Sequence, residues 1–301
     1  MSVAVIQGSS SGLGLALAQH VLRNTRLKVY ALTHQSSDKD VAEKITSGLD
    51  RDSADRLTVL SNVNVAEERG LEDAASTVKE REGRGSVRLL TCLAGVVSLC
   101  SAHELYSTLL TRRGSQLHAE KSLSAVSPDT ALDSFAINTL GHLLTYKHFV
   151  PLIPSKRDLE KQRWSWADHK TLKDPAMGLI CDHNSLCFSL SARVGSIQDN
   201  HRGGWYTYRA SKAALNQIVR SLDHELKNRA SSALAVAYHP GTVLTSFTAP
   251  IIGSDAEAKP EKGVFTIEEA IKHMTDTMKR ARRDEDWGGC FRDWKGERVE
   301  W

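Results

Sequence analysis

Ser2-Val3-Ala4-Val5-Ile6-Gln7-Gly8-Ser9-Ser10-Ser11-Gly12-Leu13-Gly14-Leu15-Ala16-Leu17-Ala18-Gln19-His20-Val21-Leu22 decides the fold class of this chain. Val3 to Ile6 is a short apolar run of the kind a buried parallel strand shows. Leu13, Leu15, Leu17, Ala18, Val21 and Leu22 then recur with helical spacing. The glycines between them allow a tight turn in which backbone can approach a pyrophosphate, and the helix N-terminus behind offers unpaired N–H groups and a positive dipole end. A flexible Gly/Ser linker has a similar composition, but it is not usually flanked at once by a strand and an amphipathic helix. Gly8, Ser10, Ser11, Gly12, Leu13 and Gly14 are therefore read as a nucleotide cradle. Their spacing is G-x-x-x-G-x-G, not the G-x-G-x-x-G of the common dinucleotide fingerprint.

Outward from this stretch the pattern repeats. Lys28–Leu32, Leu57–Leu60, Val87–Cys92, Ser185–Leu190 and Ala233–Tyr238 read as strands, and Leu71–Arg81, Ala131–Val150 and Tyr208–Arg229 as helices. Such alternation predicts an α/β fold: a single doubly wound Rossmann domain over residues 1–301, with a mostly parallel central sheet and helices on both faces. Two stretches break the alternation. Ser101–Pro128 is polar with little period. Pro154–Asn184 carries charges, Trp164 and Trp166, and reads as a surface insertion at about 154–184 whose tryptophans serve satellite packing.

Bulk properties exclude several functions. The net charge of +3 over 301 residues is too small and dispersed for a nucleic-acid groove. No apolar stretch is long enough for a membrane span, and a first strand at residue 3 leaves no room for a leader, so a cytoplasmic protein is expected. Five cysteines form no C-x-x-C pair and read as free thiols. Cys181, His183 and Cys187 lack a fourth ligand at a recognisable spacing, so no metal is expected.

Tyr208 and Lys212, in GGWYTYRASKAALNQIV, lie one helical turn apart and project from one face. Forming phenolate at neutral pH costs a free tyrosine about 4 kcal/mol, and an ammonium one turn away reduces that cost. The tyrosine then becomes a usable proton donor and acceptor.

The glycine turn together with Tyr208-x-x-x-Lys212 resembles the short-chain dehydrogenase/reductase family. Extended relatives such as sugar-nucleotide epimerases typically show G-x-x-G-x-x-G, which this chain lacks. SARVGSIQDN, GGWYTYRASKAALN and HPGTV, with GGCFRDWKGERVEW at the end, resemble its C-factor-like branch. The resemblance covers nearly the whole chain apart from the insertion.

The resemblance implies a site. Asn138, in FAINTLG, matches the asparagine that holds a water in a proton relay with the lysine. Ala94 and Gly95 match the cofactor-side half of an Asn-Asn-Ala-Gly segment whose asparagines are here Cys92 and Leu93, so their bonds to neighbouring strands must be replaced. Asn64-Val65 matches the adenine contact, and Pro240, Gly241, Val243 and Thr245 the segment beside the nicotinamide amide. The substrate-orienting serine is Ser191 or Ser196, with Ser191 preferred; where two adjacent serines occur in the family, the second slot is here Ala192. At the end of the second strand His34 stands where NADP users place arginine, while Asp38 remains within reach of a ribose. NADP(H) is thus favoured over NAD(H).

The implied activity is NAD(P)(H)-dependent hydride transfer between nicotinamide and a small-molecule carbonyl or secondary alcohol, of the carbonyl reductase or alcohol dehydrogenase type. Tyr208 serves as general acid and base, with Lys212 holding the ribose. The alternative is a cofactor-binding regulatory or scaffold protein of the same fold with little turnover. Homodimers or homotetramers are the family's common assemblies. Pocket walls are expected from Val96–Ser101, Gly195–Trp205 and Leu244–Lys262, with Trp205 and Phe247 as aromatic surface.

Overall fold

A computed structural model describes residues 2–97, 120–168 and 174–301. Expectations for Ser98–Ser101 as pocket wall and for most of the polar stretch from Ser101 lie outside these residues. The first strand, β1 (Val3–Gln7), is buried at every position, as an apolar run without alternation demands. It pairs in parallel with β2 (Lys28–Leu32) on one side and β4 (Val87–Cys92) on the other. With β3 (Leu57–Leu60), β5 (Ser185–Leu190), β6 (Ala233–His239) and β9 (Cys290–Asp293) the sheet runs β3-β2-β1-β4-β5-β6-β9, and every pair in it is parallel. A separate parallel pair, β7 (Thr242–Val243) and β8 (Val264–Phe265), lies beyond β6.

The strand order reverses between β1 and β4. Chains leaving neighbouring strands there turn to opposite faces, opening a crevice at their carboxyl ends. One face of the sheet is covered by the Gly12–Asn24 and Ile267–Arg280 helices, through Leu17, Val21, Met274 and Met278. The other is covered by the Glu68–Glu82, Gly141–Phe149 and Tyr206–Asn228 helices, through Leu71, Val78, Phe149, Leu215 and Val219. Each such aliphatic side chain, once fully buried, stabilises the fold by about 1.5–3 kcal/mol before ordering entropy is subtracted.

The segment expected as a surface insertion is partly core. It forms the Lys156–Asp168 helix, and Ala176, Leu179 and Ile180 join the cluster under the sheet. Fully buried Arg88 on β4 reaches Asp174 at 3.4 Å and the carbonyls of Cys181 and Asn184 at 3.2 and 3.0 Å. That anchorage accounts for one charge of the segment, Asp174. Trp164, however, is 76% exposed, so satellite packing does not describe it.

Candidate functional site

The cradle is built by contacts too close for a side chain. A Cβ on Gly14 would stand 2.0 Å from the Gly8 carbonyl oxygen, and one on Gly8 would stand 2.7 Å from the Ala94 nitrogen. Gly12, at φ +52°, differs: its Cβ direction is open, with the Thr245 methyl at 3.7 Å the nearest atom. Ser11 is extended and its side chain caps nothing, so the first-turn N–H groups of the Gly12–Asn24 helix face this opening without an intrahelical acceptor. A space that a Cβ would fill, lined by free N–H groups, suits a pyrophosphate. Leu13 closes the back by packing on Val243 and Phe265. Ser9 and Ser10 are buried, Ser9 donating to the Leu32 carbonyl at 3.1 Å.

Tyr208 and Lys212 come to the same crevice. Their helix begins after Trp205, which is left-handed at φ +53° and follows two glycines at φ +64° and +65°. A tryptophan in that region is strained and persists only where neighbours hold it. Here its N–H donates to the Glu120 carbonyl at 2.6 Å and its ring tilts onto Tyr208, centroids 6.1 Å apart. Val97, Ala192, Val194 and Trp205 form an apolar collar around the phenol. Lys212 Nζ donates to the Leu190 carbonyl at 2.9 Å, at the end of β5. A Cβ on Gly95 would lie 3.4 Å from that nitrogen. Gly8 therefore touches Ala94, and the next residue borders Lys212. Two motifs some two hundred residues apart thus meet across the exit of β4.

Burial governs both groups. It pushes the Tyr208 phenol well above its ordinary value. It brings the Lys212 ammonium down to about 7. The sequence reading had the lysine lowering the phenol; in this geometry desolvation is the larger influence, and the ammonium turns to a backbone carbonyl. The lysine's folded value lies below its unfolded one of ~10.4. Between them the folded chain binds fewer protons, so stability rises with pH through that window, and below about 7 the whole cost of burying the charge is present. Lys212→Met is expected to raise the thermal midpoint by roughly 3 °C or more at about pH 6, with the gain shrinking towards about pH 10. Melting curves of both proteins across pH check this; a gain that does not change with pH contradicts it.

Asn138 sits in a π-helical turn, Ala136–Leu140, inside the helix expected from Ala131 to Val150. It is fully buried. Its Oδ1 accepts from the Val96 N–H at 2.7 Å and its Nδ2 donates to the Val96 carbonyl at 2.7 Å, with the Ser134 and Ser211 hydroxyls each at 3.1 Å. The side chain thus clamps the loop after β4, and the π turn rotates it into place.

The bonds expected of the two missing asparagines come from elsewhere. Gln7 accepts from the Ala94 N–H at 3.0 Å, and His142 Nε2 donates to the Ala94 carbonyl at 2.9 Å. Sequence reasoning passed over both residues. A histidine on the inward face of the central helix, four positions after Asn138, was the available signal.

Neither serine candidate faces the phenol in a bond. Ser191 is 3% exposed and donates to Asn216 Oδ1 at 2.6 Å, while Ser196 accepts from the Asp199 N–H at 3.1 Å. Ala192 packs against Tyr208 instead. His34 is exposed at the end of β2. Asn64 is locally engaged, accepting from the Ala66 N–H at 3.1 Å and donating to Glu67 at 2.7 Å. The Val65 side chain fills the space beside Gly141. Beyond Pro240 and Gly241, Val243 and Thr245 reach the cradle, with the Thr245 hydroxyl bridging to Thr248 at 3.3 Å. Among the described residues no cluster of three potential metal ligands occurs, and no helix is long and apolar enough to cross a membrane.

No family model matches the chain. It is 24% identical over 296 residues to a 1-hydroxy-2-glutathionyl-2-methyl-3-butene dehydrogenase of Rhodococcus sp. (strain AD45), covering 98% of this chain and 100% of that protein. It is 33% identical over 112 residues to the C-signal protein of Myxococcus xanthus, covering 37% of this chain and 58% of that one. Among solved structures, an NADPH-bound carbonyl reductase from chicken fatty liver matches across 100% of both chains, with a TM-score of 0.70 and 22% identity.

Proposed function

We propose that the chain is a member of the short-chain dehydrogenase/reductase family and, on that premise, an NADP(H)-dependent oxidoreductase interconverting a small carbonyl compound and its secondary alcohol. The observation that supports this most is the meeting of Gly8, Ala94, Gly95 and Lys212 at the reversal point of the sheet. The relatives' names point the same way, one a dehydrogenase and one a carbonyl reductase bound to NADPH.

In this reading the N–H groups from Ser10 to Gly14, Ser11 included, hold the pyrophosphate, while Gly8, whose own N–H donates to the Leu32 carbonyl at 3.1 Å, shapes the turn; His34 faces a ribose 2′-phosphate. Asn64 and Val65 border the adenine, Ala94 and Gly95 the adenosine half. Pro240, Gly241, Val243 and Thr245 line the nicotinamide amide. When bound, the cofactor supplies or accepts the hydride.

The chain's own residues handle the proton. Tyr208 stays protonated at neutral pH because burial opposes phenolate, so in reduction it donates to the carbonyl oxygen as charge develops there. The collar of Val97, Ala192, Val194 and Trp205 keeps water from competing for that proton. Lys212, charged below about 7, holds the ribose hydroxyls. It also supports the phenolate that must form during turnover. Asn138 keeps Val96, and with it the loop after β4, in register with Lys212.

The test is turnover. The purified chain, given aldehydes, ketones and quinones with each nicotinamide, is expected to oxidise NADPH with the higher kcat/KM. His34→Asp sets a carboxylate against the phosphate, and is expected to move the NADPH to NADH preference at least about tenfold towards NADH. An unchanged ratio removes His34 from that role.

The second reading, a cofactor-binding regulatory protein with little turnover, is favoured by Ala192 and by the Ser191 hydroxyl spent on Asn216. Here substrate orientation rests on Tyr208 alone. Restoring a hydroxyl with Ala192→Ser is expected to raise kcat about tenfold or more, since one donor to a developing oxyanion is worth that much. No gain, with NADPH bound tightly and no carbonyl reduced, favours the regulatory reading. Cytoplasmic residence and a dimer or tetramer belong to the enzyme reading; sedimentation as a monomer removes the assembly.

A further inference from the structure

We infer that His142 is a positioning residue of the nucleotide cleft: neutral, with its proton on Nε2, it fixes the Ala94–Gly95 peptide against which the cofactor lies. The inference rests on the cleft reading proposed above.

The loop leaving β4 has no ladder to hold it beyond Cys92. Leu93 donates to the Gln7 carbonyl at 3.1 Å, and Ala94 donates to the Gln7 side chain at 3.0 Å. Asn138 holds both ends of the Val96 peptide unit at 2.7 Å. Between them the Ala94 carbonyl has His142, and Gly95 carries no side chain to anchor itself. This carbonyl can only accept, so the imidazole proton must be on Nε2. Nδ1 is then bare and accepts from the Ser189 hydroxyl at 2.9 Å. The Ser189 oxygen in turn accepts from the Tyr146 hydroxyl. Two hydroxyls, from β5 and from the next turn of the same helix, therefore select the tautomer that holds Ala94.

The arrangement has little slack. A Cβ on Gly95 would lie 3.2 Å from Asn138 Oδ1 and 3.4 Å from Lys212 Nζ, so any turn of the Ala94 carbonyl alters the gap between the loop and the ammonium. His142 is fully buried. Burial first, then the Lys212 charge, lowers its pKa to about 3, so the ring stays neutral wherever the protein is folded and assayed. A charged imidazolium would set a second cation beside Lys212. A neutral ring avoids that and keeps one donor and one acceptor. No reacting atom is touched, so the role is positional.

Two substitutions separate this from simple core filling. His142→Ala removes the donor, and His142→Gln keeps an N–H able to reach the Ala94 carbonyl. The alanine variant is expected to raise the Kd and KM for NADPH about tenfold, with kcat at saturating cofactor within about twofold of wild type. The glutamine variant is expected to recover most of the affinity. A folded alanine variant with the wild-type Kd overturns the inference, as does a glutamine variant as weak as alanine. If the wild type binds neither nicotinamide, the cleft reading itself fails; binding that both variants leave untouched strikes His142 alone. The wild type offers a check that needs no substitution. In protein carrying ¹⁵N-histidine, His142 is expected to show the Nε2–H tautomer from about pH 5 to pH 8 and to shift when NADPH is added. An Nδ1–H tautomer, or no response to NADPH, overturns the inference.

Discussion

Tyr208→Phe is expected to lower kcat/KM for carbonyl reduction by about 10²–10⁴-fold, with the Kd for NADPH changed less than about twofold. The change removes one oxygen and leaves the ring that fills the collar of Val97, Val194 and Trp205. Packing is therefore kept, and the lost quantity is the proton. The phenol is 6% exposed and held above its ordinary pKa by burial. In the proposed reaction it is the proton donor, and no other hydroxyl among the described residues is shown bonded into its place, since Ser191 and Ser196 point their bonds elsewhere. Steady-state rates with saturating NADPH, beside a fluorescence titration of the cofactor, separate the two effects. Equal turnover in the variant would mean that the proton comes from another group.

The second large effect is on the cradle. Gly14→Ala places a Cβ 2.0 Å from the Gly8 carbonyl oxygen, a backbone atom with no rotamer to yield. The turn between β1 and its helix must open. Overpacking of this kind costs about 1–3 kcal/mol, or more where only backbone can move. A drop in thermal midpoint of roughly 5 °C or more should accompany loss of NADPH binding. Gly12→Ala is the control. Its Cβ meets nothing closer than 3.7 Å, so the fold pays only the left-handed strain of about 1 kcal/mol, while the new methyl enters the space assigned to the pyrophosphate. Binding should fall in both variants, and stability mainly in the first. Equal stability losses would show that the close approach of Gly8 and Gly14 is not what shapes the turn.

The centre of the sheet was legible because strands such as β1 and β4 are buried at every position and so written as apolar runs. β1, β2 and β4 need no turn chemistry to be read. β9 escaped notice because Cys-Phe-Arg-Asp has only two apolar residues and exists as a strand by pairing with β6 at the sheet edge. The tyrosine and lysine were legible as a spacing, but their pKa directions were not, since these follow from the apolar collar that tertiary packing builds. Ser191 looked suitable by position at the end of a strand. Its partner, Asn216, comes from a helix twenty-five residues later, and no local pattern announces such a bond. His142 was missed for a related reason: an inward histidine reads as core until the carbonyl it holds is seen. The charge in 154–184 suggested surface, whereas part of it neutralises and satisfies Arg88 beneath the sheet.

The central claim is that the glycine cradle and the Tyr208–Lys212 pair serve one nicotinamide. It is tested most directly by magnetisation transfer between bound NADP⁺ and protein carrying labelled tyrosine rings, with Tyr208→Phe assigning the signals. Cross-peaks between the nicotinamide ring protons and the Tyr208 ring are the expected result. Tight NADP⁺ binding with no such cross-peaks, or with the nicotinamide beside a different tyrosine, would contradict it.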